Sequence, residues 1–214
     1  MTIKRPANVP EPVERVAGLM RAFQGSWFLI GGWAVDAWLG RQSREHADVD
    51  IGLFRDEEQA LFEFLCGWHL VAHDTPDASH DDPWDGGPLR FPAHIHARHP
   101  DWPEIDFNFN ERSGRRLSIS RDPQISFDID DAVRVSPWGL PTLVPEVIIW
   151  FKAKDVRPRD GLDTDALLPL LDGNQRDWLA STLARVTPDH PWLARLRGAP
   201  LSRPVGRCGR RAAR

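Results

Sequence analysis

The 214-residue sequence has no tyrosine, two cysteines, two methionines and no uninterrupted apolar run that approaches bilayer thickness. Each shortage narrows what the chain can be. Cys66, in an apolar helix-like run, and Cys208, near the C-terminus, lie far apart and form no disulfide framework,. A membrane-spanning helix needs about 20 consecutive apolar residues, and the first residues hold no signal-like apolar segment. A cytoplasmic protein without a membrane partner is therefore expected. Charge of one sign is also scarce: the formal net charge of −4 gives the chain as a whole no electrostatic ground for non-specific nucleic-acid binding,. What is plentiful is tryptophan, ten residues, and so many large rings require burial. A chain of this size buries roughly 70% of its unfolded surface, enough for a core without staples.

Along the chain, Pro10-Glu11-Pro12 opens a helix with Val13, Val16, Ala17, Leu19, Met20 and Phe23 at helical spacing,. Residues 27–30 read as a buried first strand. Gly31-Gly32 leads into a short helix that ends at Gly40, and residues 48–54 form the second strand. A helix follows from Asp56 to about Gly67, then a short strand at 68–71. Residues 74–88, rich in Asp, Pro and Gly, read as a long exposed loop, a lid or specificity element whose acids would attract a cationic acceptor. Further strands are expected at 89–91, 93–98, 104–110, 116–119 and 132–135. Helices follow at 145–155, 161–171, 175–186 and 192–196, and residues 199–214 form a basic, aperiodic tail. The order is mixed α/β, then all-helical from about residue 145.

Two carboxylates organise the chemistry. In an extended strand Asp48 and Asp50 project to one side while Val49 and Ile51 face the other. Carboxylates that close repel, and each raises the other's pKa unless a cation lies between them. Oxygen-only donors on a stiff strand suit Mg²⁺, which binds one or two carboxylates plus substrate phosphates. The upstream Gly31-Gly32 turn offers backbone N–H groups and a helix N-terminus to phosphate. A third acid would complete the set. Residues 104–110 alternate without a break, placing Glu104, Asp106, Asn108 and Asn110 on one face,; Asp106 is the best candidate for a base or further metal ligand.

The pattern from Ile30-Gly31-Gly32-Trp33-Ala34-Val35-Asp36 through Gly40-Arg41 and Arg44-x-His46-x-Asp48-Val49-Asp50-Ile51 resembles the nucleotidyltransferase (DNA polymerase β-like) superfamily. It is most similar there to aminoglycoside 2″-adenylyltransferases and lincosamide nucleotidyltransferases. The resemblance implies an α+β fold, a mixed sheet flanked by helices and followed by a C-terminal helical region. Residues 1–144 would be the catalytic domain, 145–198 the helical region and 199–214 the tail. It also implies an enzyme that passes AMP from ATP, or from another NTP, to a hydroxyl of an aminoglycoside- or lincosamide-like small molecule, an antibiotic-resistance activity. Asp48, Asp50 and Asp106 would hold Mg²⁺ and carry catalysis, and Gly31 and Gly32 would receive the triphosphate. Arg44 and His46 match positions flanking the nucleotide. The segment Phe151-Lys152-Ala153-Lys154 … Arg159-Asp160-x-x-Asp163 is similar to a motif whose lysine reaches the phosphates. Residues two apart on a helix diverge by about 200°, so one lysine alone can do so, and Lys152 is expected.

Asp36 is expected to be structural. His94 and His96 share a strand face and invite a zinc reading, but no cysteine stands nearby and structural zinc takes four ligands; they are expected instead to line the acceptor cleft. The Arg-rich tail leaves room for a second reading, a toxin-type nucleotidyltransferase modifying tRNA or protein, and a non-catalytic nucleotide-binding module is a third. Oligomeric state is not legible.

Overall fold

The computed structural model describes residues 9–73, 83–90, 92–118, 125–154 and 156–197. By its contacts the chain forms two compact units, residues 1–170 and 171–214. The boundary expected at residue 144 therefore falls inside the first unit.

In that unit, α1 (Glu11–Met20) buries Val13, Val16, Ala17 and Met20 on one stripe, as their spacing dictates,. β1 (Phe28–Leu29), α2 (Gly31–Leu39), β2 (Val49–Phe54) and α3 (Glu58–Phe64) follow, the last preceded by a 3₁₀ turn, Arg55–Glu57. Then come β3 (His69–His73), β4 (His94–Arg98), β5 (Ile105–Ser113), β6 (Arg116–Ser118) and β7 (Ser126–Asp128). A one-turn helix α4 (Ile129–Ala132), β8 (Val133–Val135), β9 (Pro141–Leu143), α5 (Pro145–Lys152) and α6 (Pro158–Leu167) complete it. The nine strands form one mixed sheet in the order β3-β4-β5-β2-β1-β9-β8, with β6 and β7 continuing from the far end of β5. Pairs β2–β5 and β1–β9 are parallel; the rest are antiparallel.

The alternation of β5 is realised: Ile105, Phe107 and Phe109 are buried, while Asp106, Asn108 and Asn110 stay half-buried on the other face. Trp33, Trp84, Trp138, Trp150 and Trp192 are buried, so much of the tryptophan is core.

Several boundaries differ from the sequence reading. Residues 89–90 are irregular and Phe91 lies outside the described residues; Pro88 and Pro92, which lack ladder donors, flank this stretch. β7 and α4 were not expected. The helix expected at 145–155 ends at Lys152. The next begins at Pro158, not 161, because proline suits the first helical position and the Asp160 carboxylate accepts from the Arg157 N–H at 3.2 Å,. The loop expected at 74–88 lies mostly outside the described residues, as does the tail at 199–214.

The second unit holds α7 (Gly173–Val186) and α8 (Leu193–Leu196). A reciprocal cap opens α7: Asp172 accepts from the Gln175 N–H, and Gln175 Oε1 from the Asp172 N–H, each at 2.9 Å,. No helix among the described residues is long and apolar enough to cross a membrane.

Candidate active site

Parallel pairing of β2 with β5 sets Asp50 directly opposite Asp106, and Asp48, two residues earlier, lines the same cleft. Burial pushes the Asp50 carboxyl up to about 6, with Asp48 adding to the shift while Lys152, a Gly32 N–H bond and His46 pull the other way. Burial pushes Asp106 further, to about 8, and Asp50 and Asp48 add repulsion. Asp106 Oδ1 is buried with no hydrogen-bond partner among the described residues. A set of three carboxylates, two held toward neutrality and one with an orphaned oxygen, fits a hard divalent cation of the Mg²⁺ class, which would relieve both strains at once.

The glycine turn explains how Asp50 comes so close to α2. Gly31 has φ 63° at the start of the helix, and a Cβ there would overlap the Asp50 carboxylate. A Cβ at Gly32 would overlap the His46 ring and the Arg44 guanidinium. The Gly32 N–H donates to Asp50. Both glycines line the cleft; their contribution visible in the structure is to let the acid and the 44–46 loop close on the first turn of α2.

That loop is riveted to its surroundings. Asp36, fully buried in α2, accepts from the Ser43 N–H at 3.1 Å and from the Ser43 hydroxyl, and meets His46 Nε2 at 2.7 Å. Arg44 can only donate, so His46 Nδ1, 3.0 Å from Arg44 Nη1, is an acceptor and Nε2 carries the proton donated to Asp36,. Asp36 is thus structural, as expected. The Arg44 fork grips Asp163 through Nε and Nη2, both at 3.1 Å, and donates to the Glu45 carbonyl,. Lys152 lines the cleft, whereas Lys154 is exposed. The Lys152 ammonium lies 3.1 Å from Asp160 and 2.8 Å from Asp163. Burial would raise the Asp163 carboxyl, but the bonds from Arg44 and Lys152 hold it below the ordinary range. Arg44, His46 and Lys152 therefore meet at the cleft through Asp36, Asp160 and Asp163, acids that the sequence reading left without a site role.

A buried pair broken on one side leaves an uncompensated charge. Lys152→Met should therefore destabilise the protein by about 2–3 kcal/mol, below the usual range of about 3–5 kcal/mol, because Asp160 retains Arg157 and Asp163 retains Arg44,. Urea unfolding reads this directly, and an unchanged midpoint would show that the lysine is not a structural member of the cluster.

These groups border a cleft of about 1110 Å³. Its lining includes Arg44, Lys152, Arg157 and Arg159, from the 44–46 loop, α5 and the approach to α6, and His73, His94, Asn108 and Asn110, from β3, β4 and β5. His94 thus lines the cleft, and His96 sits beside it, its Nε2 3.8 Å from Asp106 Oδ2. His73 was missed because β3 was read as ending at residue 71. Its only advance signal was an ordinary histidine two residues beyond that point.

Residues 13–78 match the family described as aminoglycoside-2″-adenylyltransferase. No curated protein gives a significant sequence match. Among solved structures, the chain is similar to the lincosamide antibiotic adenylyltransferase LnuA in its lincomycin-bound form, with a TM-score of 0.54 and 19% identity. That likeness covers 75% of this chain and 97% of the other. It is also similar to ANT(2″)-Ia in complex with adenylyl-2″-tobramycin, with a TM-score of 0.57 and 15% identity over 81% of this chain and 96% of the other. The solution structure of the antibiotic-resistance factor ANT(2″)-Ia gives a TM-score of 0.57 and 16% identity, over 82% and 91%. At these identities the shared property is the fold. The resemblance read from the sequence is thereby shown: residues 13–78 carry the aminoglycoside-2″-adenylyltransferase family's pattern, and the chain has the fold of the nucleotidyltransferase-fold antibiotic adenylyltransferases, which are enzymes.

Proposed function

We propose that this protein is a nucleotidyltransferase that passes AMP from ATP to a hydroxyl of an aminoglycoside- or lincosamide-like small molecule. The observation that carries the reading is the placement of Asp50 opposite Asp106, with Asp48 beside them, above a glycine turn in one large cleft. Asp48, Asp50 and Asp106 would hold Mg²⁺, which when bound neutralises triphosphate charge. Asp106 is the base: its buried Oδ1 has no hydrogen-bond partner among the described residues and can take the proton of an attacking hydroxyl,. As that proton moves to Asp106, the acceptor oxygen bonds to the α-phosphorus in line, the bond to the β-phosphate bridge breaks, and pyrophosphate leaves with the electron pair. Arg44, Lys152, Arg157 and Arg159, which line the cleft, take the triphosphate side; Arg44 is held in place by Asp163, and Lys152 by Asp160 and Asp163. Asn108, Asn110 and His94 face the acceptor, where amide and imidazole groups can bond hydroxyls and amines.

The test is pyrophosphate release with Mg²⁺, each NTP in turn, and a panel of aminoglycosides, lincosamides and simple hydroxylated metabolites. Release with ATP and one antibiotic class, with an adenylylated product by mass spectrometry, is expected. Asp50→Ala should reduce it to background with the fold retained. Full transfer by that variant would overturn the assignment of the acids. Release only with RNA or protein as acceptor would move the protein to the toxin-type reading, and nucleotide binding without release from any acceptor would make it a non-catalytic module.

A further inference from the structure

We propose that His73, His94 and His96 form a binding site for a zinc-class transition-metal cation, with water completing its coordination,. Three nitrogen donors set the site apart in chemistry from the oxygen-only acids next to it, and it does not depend on the transfer reaction.

The sheet assembles the three donors. Antiparallel pairing places His73 of β3 opposite His94 of β4. His94 and His96, two residues apart, share a face. The ligand nitrogens of the three rings lie within 4.8 Å of one another. Ligand bonds of about 2.0–2.1 Å in tetrahedral array place donor atoms roughly 3.4 Å apart. Small rotations of the side chains on a rigid sheet would close that gap. The rings already crowd together: His73 stacks on His94 with centroids 4.8 Å apart and planes 15° from parallel, and its centroid lies 4.4 Å from that of His96.

Imidazole nitrogens select zinc, copper, nickel or iron, whereas Mg²⁺ takes oxygen. The zinc reading failed at the sequence level for want of ligands: two histidines and no cysteine. The third histidine comes from β3, which the register of the sheet sets beside β4.

The experiment uses the full-length protein, stripped with chelator and dialysed, and titrated with Co²⁺ as a spectroscopic probe and with Zn²⁺ by calorimetry. One equivalent of Co²⁺ should give the visible absorption of a four-coordinate ion, and Zn²⁺ should displace it. His94→Gln and His73→Gln should each weaken binding by at least about tenfold to a hundredfold, while His99→Gln, outside the cluster, leaves it unchanged. A second measurement needs no variant: Zn²⁺ should protect His73, His94 and His96 from diethylpyrocarbonate, read by peptide mass spectrometry. The proposal is overturned if Co²⁺ binding is absent, if it is unaltered in both cluster variants, or if Zn²⁺ protects other histidines but not these. None of these readouts requires turnover, so failure of the metal site and failure of the transferase reading are distinguishable.

Discussion

With metal removed by chelator, Asp106→Asn is expected to raise the melting temperature at pH 9 by roughly 5–10 °C; with Mg²⁺ supplied, the variant should show no transfer. The asparagine keeps the shape of the side chain and removes a charge that the fold disfavours. Burial and the Asp50 and Asp48 carboxylates push Asp106 up to about 8, against an unfolded value near 3.9, and each pKa unit corresponds to about 1.4 kcal/mol. The ionised acid thus costs on the order of a few kcal/mol, and at about 2–4 °C per kcal/mol the melting point moves as stated. Stability and function oppose each other at this residue, as they do where a site is built from groups that repel.

The pH dependence gives the same prediction a sharper form. A carboxyl whose folded pKa exceeds its unfolded pKa holds an extra proton in the fold between the two values. Its contribution is fully present below about 4 and is lost as pH rises through about 8 for Asp106, or about 6 for Asp50,. Metal-free wild-type protein should therefore lose stability between pH 5 and pH 9. The Asp106→Asn variant should lose less, and the gap between the two should close as pH falls toward about 4. Added Mg²⁺ should restore the wild type at high pH more than the variant, because a ligand that binds only the folded state stabilises it. If the two curves run parallel across the whole range, Asp106 is not the strained acid. Differential scanning fluorimetry at several pH values is sufficient.

How much of this was legible beforehand depends on the range of the interaction that set each feature. The fault-free alternation of residues 104–110 revealed the polar face of β5, because side-chain direction in a strand is local. That Asp106 would lie opposite Asp50 was not local: the alternation nominated Asp106 as the third acid, but its placement depends on a parallel register between segments 56 residues apart in sequence. His73 went unseen for a related reason. A strand read as 68–71 had no sequence feature extending it to 73; pairing with β4 does so. Asp160 fell between the helices expected at 145–155 and 161–171, whereas it caps the helix that Pro158 starts and bonds Lys152. Of the strand expected at 89–91, residues 89 and 90 are irregular, in keeping with a proline neighbour at 88 that lacks a ladder donor,. Motif residues close in sequence were readable, and their partners across the sheet and in α6 were not.

Gly31→Ala should be the most damaging single methyl in the protein, destabilising it by about 3 kcal/mol or more and taking transfer to background. Two effects combine. An alanine at φ 63° carries left-handed strain of about 1–2 kcal/mol,, and its Cβ would overlap the Asp50 carboxylate, so that either the acid or the first turn of α2 must shift. Gly67 separates the two. It has φ 89° but open space around the position of a Cβ, so Gly67→Ala should show the backbone term alone. A double-mutant cycle isolates the other: with Asp50→Ala in place the carboxylate is gone, and Gly31→Ala should cost about 1–2 kcal/mol less than it does in the wild type. Both comparisons come from urea unfolding of four variants and the parent. Should Gly31→Ala cost no more than Gly67→Ala and add simply to Asp50→Ala, the glycine would be serving only the turn. Coupling of the predicted size would mean that Gly31 is there to let Asp50 sit against the helix, and that the acid's position, and with it the chemistry, is set by the absence of one methyl group.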